Sequence, residues 1–539
     1  MRKDESQGRT RADGVTQPLS HAQDRPAAAS FRSILFDESD IGKDIDAQIA
    51  PECFSDLNFD QIVASVTAGH DEYNLQPFFY CPLPDVATIE YRHDVFRDLG
   101  NRVLFECIRS VSRNMRAVRQ HLAQVDKLSY PLQKQSWFLD AVDIYRRVIV
   151  QLDRDLAPIN LSSRGFLAFR RYVTSYRKGT EFVSLLAETE KLKADLSGIR
   201  YGLDIEGSRI KVERYSAEPD YGVEVLQTFA KFKEEAAKDY KFRFPSDPEM
   251  NHIEAAILDF VAKLYPKVFS SLEDYYSRHS NFLDDTILVF DREVQFYIAY
   301  LDYMARYRSA GLPFCYPFVT DRSKEVCGRE VFDLALANRL IVEKAPVVTN
   351  DFFLNDPERI FVVSGPNQGG KTTFARTYGQ LHYLAKVGCP VPGKEARLFL
   401  FDKMFTHFEK EEDIRNLSSK LEDDLLRIRR ILEQSTPNSI LIMNESFVST
   451  TVVDALHLSK QVIQQIIQRD MLCVTVTFLD ELASLGETTV SMTSVVDPEN
   501  PAQRTFKIIR RPADGLAYAM AIAKKYRLTC ESIRRRITP

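Results

Sequence analysis

The chain has 539 residues, 44% of them hydrophobic, and a formal net charge of −5. That length suits about three or four domain-sized units with packed cores. The mild acidity excludes a global basic field, so nucleic-acid binding would need a local patch, and no apolar run reaches the ~20 residues of a membrane span.

Residues 1–30 are rich in Arg, Asp, Gln, Ser and Ala, with almost no large apolar groups. Such a segment cannot bury enough surface to offset its ordering entropy, and it reads as a disordered tail without the apolar core of a secretory signal. Eight cysteines are scattered from Cys53 to Cys530 with no C-x-x-C pair. They read as reduced, buried thiols of a cytoplasmic protein and not as a zinc site.

From Phe31 to Ala310 the apolar period is helical. Ile253, Ile257, Phe260, Leu264 and Val268 step by three or four and predict one face of a single long helix. Ile287, Phe290, Val294, Ile298, Leu301 and Met304 predict a second. Aromatic pairs such as Tyr275-Tyr276 and Phe296-Tyr297 read as core packing between helices. One segment breaks the rhythm. Tyr201–Tyr215 alternates apolar and polar residues around Glu206-Gly207-Ser208, the pattern of a small β-hairpin. Phe244–Pro248 reads as the loop that returns the chain to the helices.

From Gly311 short apolar runs alternate with helical patterns. Ile360–Val363, Ser439–Met443 and Leu472–Val476 fit buried parallel strands of an α/β domain. The first of these runs feeds into Gly365-Pro366-Asn367-Gln368-Gly369-Gly370-Lys371-Thr372-Thr373. The glycines permit backbone angles that a side chain would block, so successive N–H groups can converge on a phosphate chain. Lys371 would reach the outer phosphates, and the Thr372 hydroxyl would face Mg²⁺. A helix-compatible Phe374–Leu384 follows, as a phosphate loop requires.

The Ser439–Met443 run ends in Asn444-Glu445. Glu445 suits the polarisation of an attacking water. An Asp is normally expected beside it for the magnesium shell, and Asn444 carries no charge, which predicts weaker metal binding and slower hydrolysis. Asn416–Glu422 opens a further helix, with Ser418 or Ser419 available as its cap or as a phosphate contact. After Leu472–Val476, Phe478 stands where a residue sensing the γ-phosphate would be expected, and it cannot hydrogen-bond one. The basic clusters at Arg170-Arg171 with Arg177-Lys178, at Arg427-Arg429-Arg430, at Arg510-Arg511 and at Arg534-Arg535-Arg536 read as solvated helix faces.

Together these motifs resemble the MutS family of DNA mismatch-repair ATPases. Gly365–Thr373 is similar to that family's GPN-x-GGK-[ST]-T loop, and Pro346–Asn350 to the segment before it. Asn444–Ala455 follows the family's D-E-x-G-x-G-T-S-T-x-D-G stretch, keeping Glu445, Thr450 and Asp454. Ser418-Ser419 resembles the signature that contacts the partner subunit's nucleotide. Asp514–Ala519 resembles the dimerisation element, and Leu75–Leu99 the start of the helical lever. Asn416–Glu422 does not spell the LSGGQ-type signature of SMC or ABC proteins. Phe36-Asp37-Glu38 fits the letters of the mismatch wedge by chance, since only some 55 residues precede the lever.

The resemblance implies an α plus α/β protein: a helical lever over 31–310 with a short clamp about 187–241, then an ABC-type P-loop ATPase domain over 311–539 that ends in a dimerisation element about 510–539. It implies ATP and Mg²⁺ as ligands, with Lys371 and Glu445 catalytic and Thr372 and Asn444 at the metal. A homodimer is expected, acting on double-stranded or branched DNA of unusual backbone shape, without a membrane and without a Smr nuclease. The departures lie around the nucleotide. Val347 stands where the family stacks adenine, Phe478 where it has a histidine, and Phe447 and Ser449 replace the G-x-G glycines. The competing expectation is a nucleotide-sensing scaffold that hydrolyses little.

Overall fold

The computed structural model describes residues 31–36, 45–207, 209–215, 250–409, 420–496, 504–512, 528–530 and 533–534. The short helices α1 (Cys53–Leu57), α2 (Phe59–Thr67) and α3 (Gln76–Tyr80) lead into α4 (Val86–Leu99). Asp85 caps α4 by accepting from the Thr88 N–H at 2.8 Å. α5 (Arg102–Lys127) and α6 (Pro131–Leu156) are 26 residues each, about 39 Å long, and pack side by side. Leu104, Ile108, Val111, Met115 and Val118 step by four and three along α5, as do Phe138, Val142, Tyr145, Ile149, Leu152 and Leu156 along α6. These stripes are buried, and the faces away from them carry the charge.

α7 (Arg164–Lys178) and α8 (Thr180–Ser197) follow, then an antiparallel hairpin of β1 (Tyr201–Glu206) and β2 (Arg209–Arg214). This is the hairpin that the alternation predicts; Leu203 faces Val212 and Ile205 faces Ile210 across it. The return loop at 244–248 lies outside the described residues. The expected single helix through Ile253–Val268 is two, α9 (His252–Leu264) and α10 (Pro266–Arg278). Pro266 forbids helical angles on the residue before it, and Tyr265 turns out at φ −124° and ψ 53°. Nor is the expected stripe a core face: Ile253 and Phe260 are about half exposed, and Val261 is buried instead. α11 (Asp285–Ser309) is the second expected helix, with Phe296, Tyr297 and Tyr300 fully buried along it.

A short strap, Phe31–Phe36, threads into this helical core. The Glu293 carboxylate accepts from the Ser33 hydroxyl at 2.8 Å and from the Ile34 N–H at 2.8 Å. Arg92 donates to Leu35 O at 2.9 Å and to Val387 O at 2.7 Å. Phe36 lies beneath the Arg92 guanidinium, buried, so it is a core residue and no wedge.

The second half contains β3 (Phe314–Cys315), β4 (Phe318–Thr320), β5 (Val326–Val331), α12 (Leu334–Val342), β6 (Asn350–Leu354), β7 (Ile360–Ser364) and α13 (Lys371–Lys386). It continues through β8 (Val391–Pro392), β9 (Glu395–Phe399), β10 (Met404–Phe408), α14 (Lys420–Gln434), β11 (Ile440–Asn444), α15 (Val452–Gln468), β12 (Leu472–Val476), β13 (Thr489–Val496) and β14 (Arg504–Arg510). The main sheet has six strands in the order β10-β11-β12-β7-β13-β14, all parallel except β14. A smaller sheet, β4-β9-β5-β6, lies beside it. The fold is thus α plus α/β with a largely parallel sheet.

The three apolar runs become β7, β11 and β12, buried along nearly their whole length. Alternate residues enter opposite cores, as the two-residue strand period requires. Phe361, Val363, Ile440, Ile442 and Val474 face α13 and the helical half, whereas Ile360, Val362, Leu441, Met443 and Cys473 face α14 and α15. The first core runs without a break from Phe31 to Ile508 and joins the two halves. Of the cysteines, Cys53, Cys81, Cys389 and Cys473 are buried, but Cys530 is exposed, against the expectation. Among the described residues no helix is long and apolar enough to cross a membrane.

Candidate functional site

Strand β7 lies between β12 and β13 and delivers the Gly365–Gly370 loop at the carboxyl end of the sheet, where an open α/β sheet has its crevice. Gly365 and Gly370 take φ +118° and +91°, and Gln368 also lies in the left-handed region at +59°. Gly369 has no room for a side chain: a Cβ there would stand 2.2 Å from Ser494 Oγ and 2.9 Å from Pro366 O. Ser494, buried on β13, donates to Gly369 O at 2.8 Å and braces the loop. Phe506 on β14 approaches Gly370, its carbonyl 3.5 Å from where a Cβ would be. The Asn350 side chain holds that edge by accepting from the Ile508 N–H at 2.7 Å and donating to Phe506 O at 3.2 Å.

Helix α13 starts at Lys371 directly after the loop, so its first free N–H groups point into the crevice. Lys371 Nζ folds over the loop and donates to Gly365 O at 2.9 Å and Asn367 Oδ1 at 3.2 Å. Burial holds its pKa below the ordinary lysine range, with Glu445 opposing that shift and Arg504 adding to it. Thr372 donates its hydroxyl to Asn444 Oδ1 at 2.8 Å. The two residues expected at the metal are therefore in direct contact, although Asn444 lies on β11, two strands from β7. Thr373 stands one residue further into α13 and accepts from the Thr377 hydroxyl at 2.8 Å.

Glu445 follows Asn444 at the end of β11. Its N–H donates to Val476 O at 2.9 Å and its carboxylate lies 4.0 Å from Lys371 Nζ. Two residues in this turn adopt left-handed backbone, Glu445 at φ +52° and Phe447 at +61°. Phe447 keeps a glycine-like conformation without being glycine, at a cost of about 1–2 kcal/mol. Its ring is buried in the second core, which offsets that cost. Thr450 and Asp454 meet at the start of α15: Asp454 accepts from Thr450 at 3.4 Å and from Thr451 at 2.8 Å, while Thr451 caps the helix.

Phe478 is half exposed beyond β12 and Val347 half buried against the main core. Ser418 and Ser419 lie outside the described residues, as does Asp514–Ala519. Of the basic clusters, Arg170 bonds Ile159 O, Arg427 bonds Phe408 O, Arg429 pairs with Glu433 and Arg510 with Glu358. Sequence reasoning missed Ser494 and also His407, which is buried on β10 beside Ser446. Neither belongs to a local pattern; only strand order brings them to the loop.

Residues 361–533 match the family model of MutS domain V. A DNA mismatch repair protein MutS from Shouchella clausii is 24% identical over 392 residues, covering 69% of this chain and 41% of that protein. The mismatch repair protein MSH3 of Eremothecium gossypii is 31% identical over 149 residues, 27% of this chain and 14% of its own length. MutS of Rickettsia bellii is 33% identical over 141 residues, covering 25% of this chain and 16% of that protein. The chain thus spans less than half the length of these relatives. The domain V match begins inside β7 and takes in the P-loop, the Asn444-Glu445 turn and β12, so this part of the chain is similar to domain V of the MutS family.

Proposed function

We propose that the protein is a MutS-like DNA-binding ATPase that turns over slowly and acts as a homodimer on DNA of unusual backbone shape. The observation that carries the nucleotide reading is the meeting of Lys371, Thr372, Asn444 and Glu445 at the mouth of a braced glycine loop. The residues fit ATP with Mg²⁺: the loop offers N–H groups and a lysine to phosphate. Thr372 and Asn444 offer a hydroxyl and an amide oxygen, 2.8 Å apart, of the hard type that Mg²⁺ or its waters accept. Mg²⁺ bound there neutralises charge on the phosphates.

Lys371 exchanges its loop carbonyls for phosphate oxygens. Glu445 orients the attacking water. Asn367 contacts phosphate from the loop, and Ser418 or Ser419 reaches the nucleotide of the second subunit. Asn444 carries no charge, so it holds the metal less firmly than an aspartate would, and turnover is slow. The lever spans 31–310, its clamp about 187–241, and the ATPase domain 311–539 with dimer contacts about 510–539. The DNA reading is supported by the similarity to DNA mismatch repair proteins.

A second reading, a nucleotide-sensing dimeric scaffold with little hydrolysis, is favoured by Asn444 and by the half-exposed Phe478. Steady-state hydrolysis of the natural chain, Asn444→Asp and Lys371→Ala separates the two. A slow ATPase hydrolyses above the level of Lys371→Ala and is accelerated by Asn444→Asp, whereas a scaffold hydrolyses no faster than Lys371→Ala. A natural chain as fast as Asn444→Asp sinks both low-turnover readings. Binding to duplex, branched and single-stranded DNA at two salt concentrations tests the partner, and no binding at low salt removes DNA from the proposal.

A further inference from the structure

His407 belongs to β10, the edge strand beside β11, and pairs across with Met443, one residue before Asn444. It is almost fully buried and shares a 3.1 Å hydrogen bond between Nδ1 and Ser446 Oγ. Ser446 sits between the two left-handed residues, Glu445 and Phe447, so His407 grips the middle of the strained turn. The other ring nitrogen, Nε2, lies 3.4 Å from the Asp424 carboxylate on α14 but makes no hydrogen bond. A buried, unsatisfied nitrogen beside a carboxylate is unfavourable, and a small approach of α14 would relieve it. One further tie joins the same elements: Arg427 on α14 donates to Phe408 O, and Phe408 pairs with Asn444.

We propose that His407 is a positioning residue that links the Glu445 turn to α14 through Ser446 and Asp424, so that nucleotide at the P-loop tightens α14. This deepens the nucleotide reading and rests on it. The chain just before α14 holds Ser418 and Ser419, the pair proposed to reach the second subunit's nucleotide. His407 thus lies between the residue that orients water in its own site and the helix that serves the other. A histidine suits the task because its two nitrogens stand on opposite sides of one rigid ring and can hold two partners at once.

The test uses the full chain with a non-hydrolysable ATP analogue and Mg²⁺. Hydrogen exchange is followed over residues 420–434, nucleotide affinity by a fluorescent analogue, and single-turnover hydrolysis with ATP. In the natural chain nucleotide should slow exchange over 420–434 by about threefold or more. His407→Gln, Ser446→Ala and Asp424→Asn should keep the affinity within about threefold, lose that slowing, and hydrolyse about tenfold more slowly. Asp424→Asn, isosteric and at the edge of the buried region, keeps the test valid if His407→Gln does not fold. Nucleotide that binds without slowing α14, or variants that keep the slowing, overturns the link alone. A natural chain that binds no nucleotide overturns the ATPase reading and the link with it.

Discussion

Replacing Gly369 with alanine tests the phosphate loop at its tightest point. The added Cβ would lie 2.2 Å from Ser494 Oγ and 2.9 Å from Pro366 O, both well inside contact distance. Ser494 is fully buried and committed to Gly369 O at 2.8 Å, so it cannot swing aside freely. Breaking that bond costs about 1 kcal/mol, and forcing a methyl group into a packed site costs about 1–3 kcal/mol more. The loop should move, and if about 2–3 kcal/mol of that appears in binding, nucleotide affinity falls roughly 30- to 150-fold. A titration with a fluorescent ATP analogue reads this, with thermal melting to show that the sheet is intact. Gly369→Ala combined with Ser494→Gly removes the worse clash and should recover part of the loss. If Gly369→Ala binds nucleotide within threefold of the natural chain, the loop is not braced by Ser494 and the reasoning is refuted.

Other outcomes follow from the same physics. Phe447→Ala should destabilise the fold by about 3 kcal/mol, since it empties a buried ring site, whereas Phe447→Gly should cost about 1 kcal/mol less because it relieves the left-handed backbone; urea unfolding that shows alanine to be the milder change contradicts this. Burial pushes the Glu293 pKa from 4.5 up to about 7, against the Ser33 and Ile34 donors that favour the ionised form. The fold therefore prefers the protonated acid: its contribution, about 3 kcal/mol, is full below pH 4.5 and lost as the pH rises to about 7. Glu293→Gln should remove that slope from unfolding measured at pH 5 and pH 7.5, and an unchanged slope would place the pH dependence elsewhere. Arg92→Met, which strands Leu35 O and Val387 O without their donor, should cost about 3 kcal/mol in chemical denaturation, and a loss under 1 kcal/mol would mean water takes over both bonds.

The legible parts of this protein are those whose signal is local. Ile360–Val363, Ser439–Met443 and Leu472–Val476 read as strands because a sheet covered on both faces makes each run apolar throughout. The P-loop reads from its glycines because phosphate contact needs backbone that side chains would obstruct. Tyr201–Tyr215 reads as a hairpin from period-two alternation around a turn. The helix predicted through Val268 failed because apolar spacing alone outweighed Pro266, whose effect on Tyr265 is also local and could have been read. What no local pattern carries is the bracing. Ser494 reaches Gly369 only because β13 lies next to β7, and His407 reaches Ser446 only because β10 lies next to β11. Phe447 shows the reverse case: it stands in place of a glycine, yet the backbone has a left-handed angle, whose cost burial of the ring offsets.

The Phe31–Phe36 strap also sets a timetable for the ribosome. Its anchors, Glu293 and Tyr297, lie 260 and 263 residues further along the chain. At ordinary synthesis rates the strap emerges roughly 10–50 s before the helix that receives it. Phe31, Ile34, Leu35 and Phe36 are all buried in the finished protein, so during that interval this short apolar segment has only its earlier-made neighbours, such as Arg92 and Phe169, to cover it. The helical half therefore cannot finish its core until α11 has emerged, even though its strap is made first. Slowing translation should lengthen this exposed period, and chaperones that hold apolar segments would act on this strap.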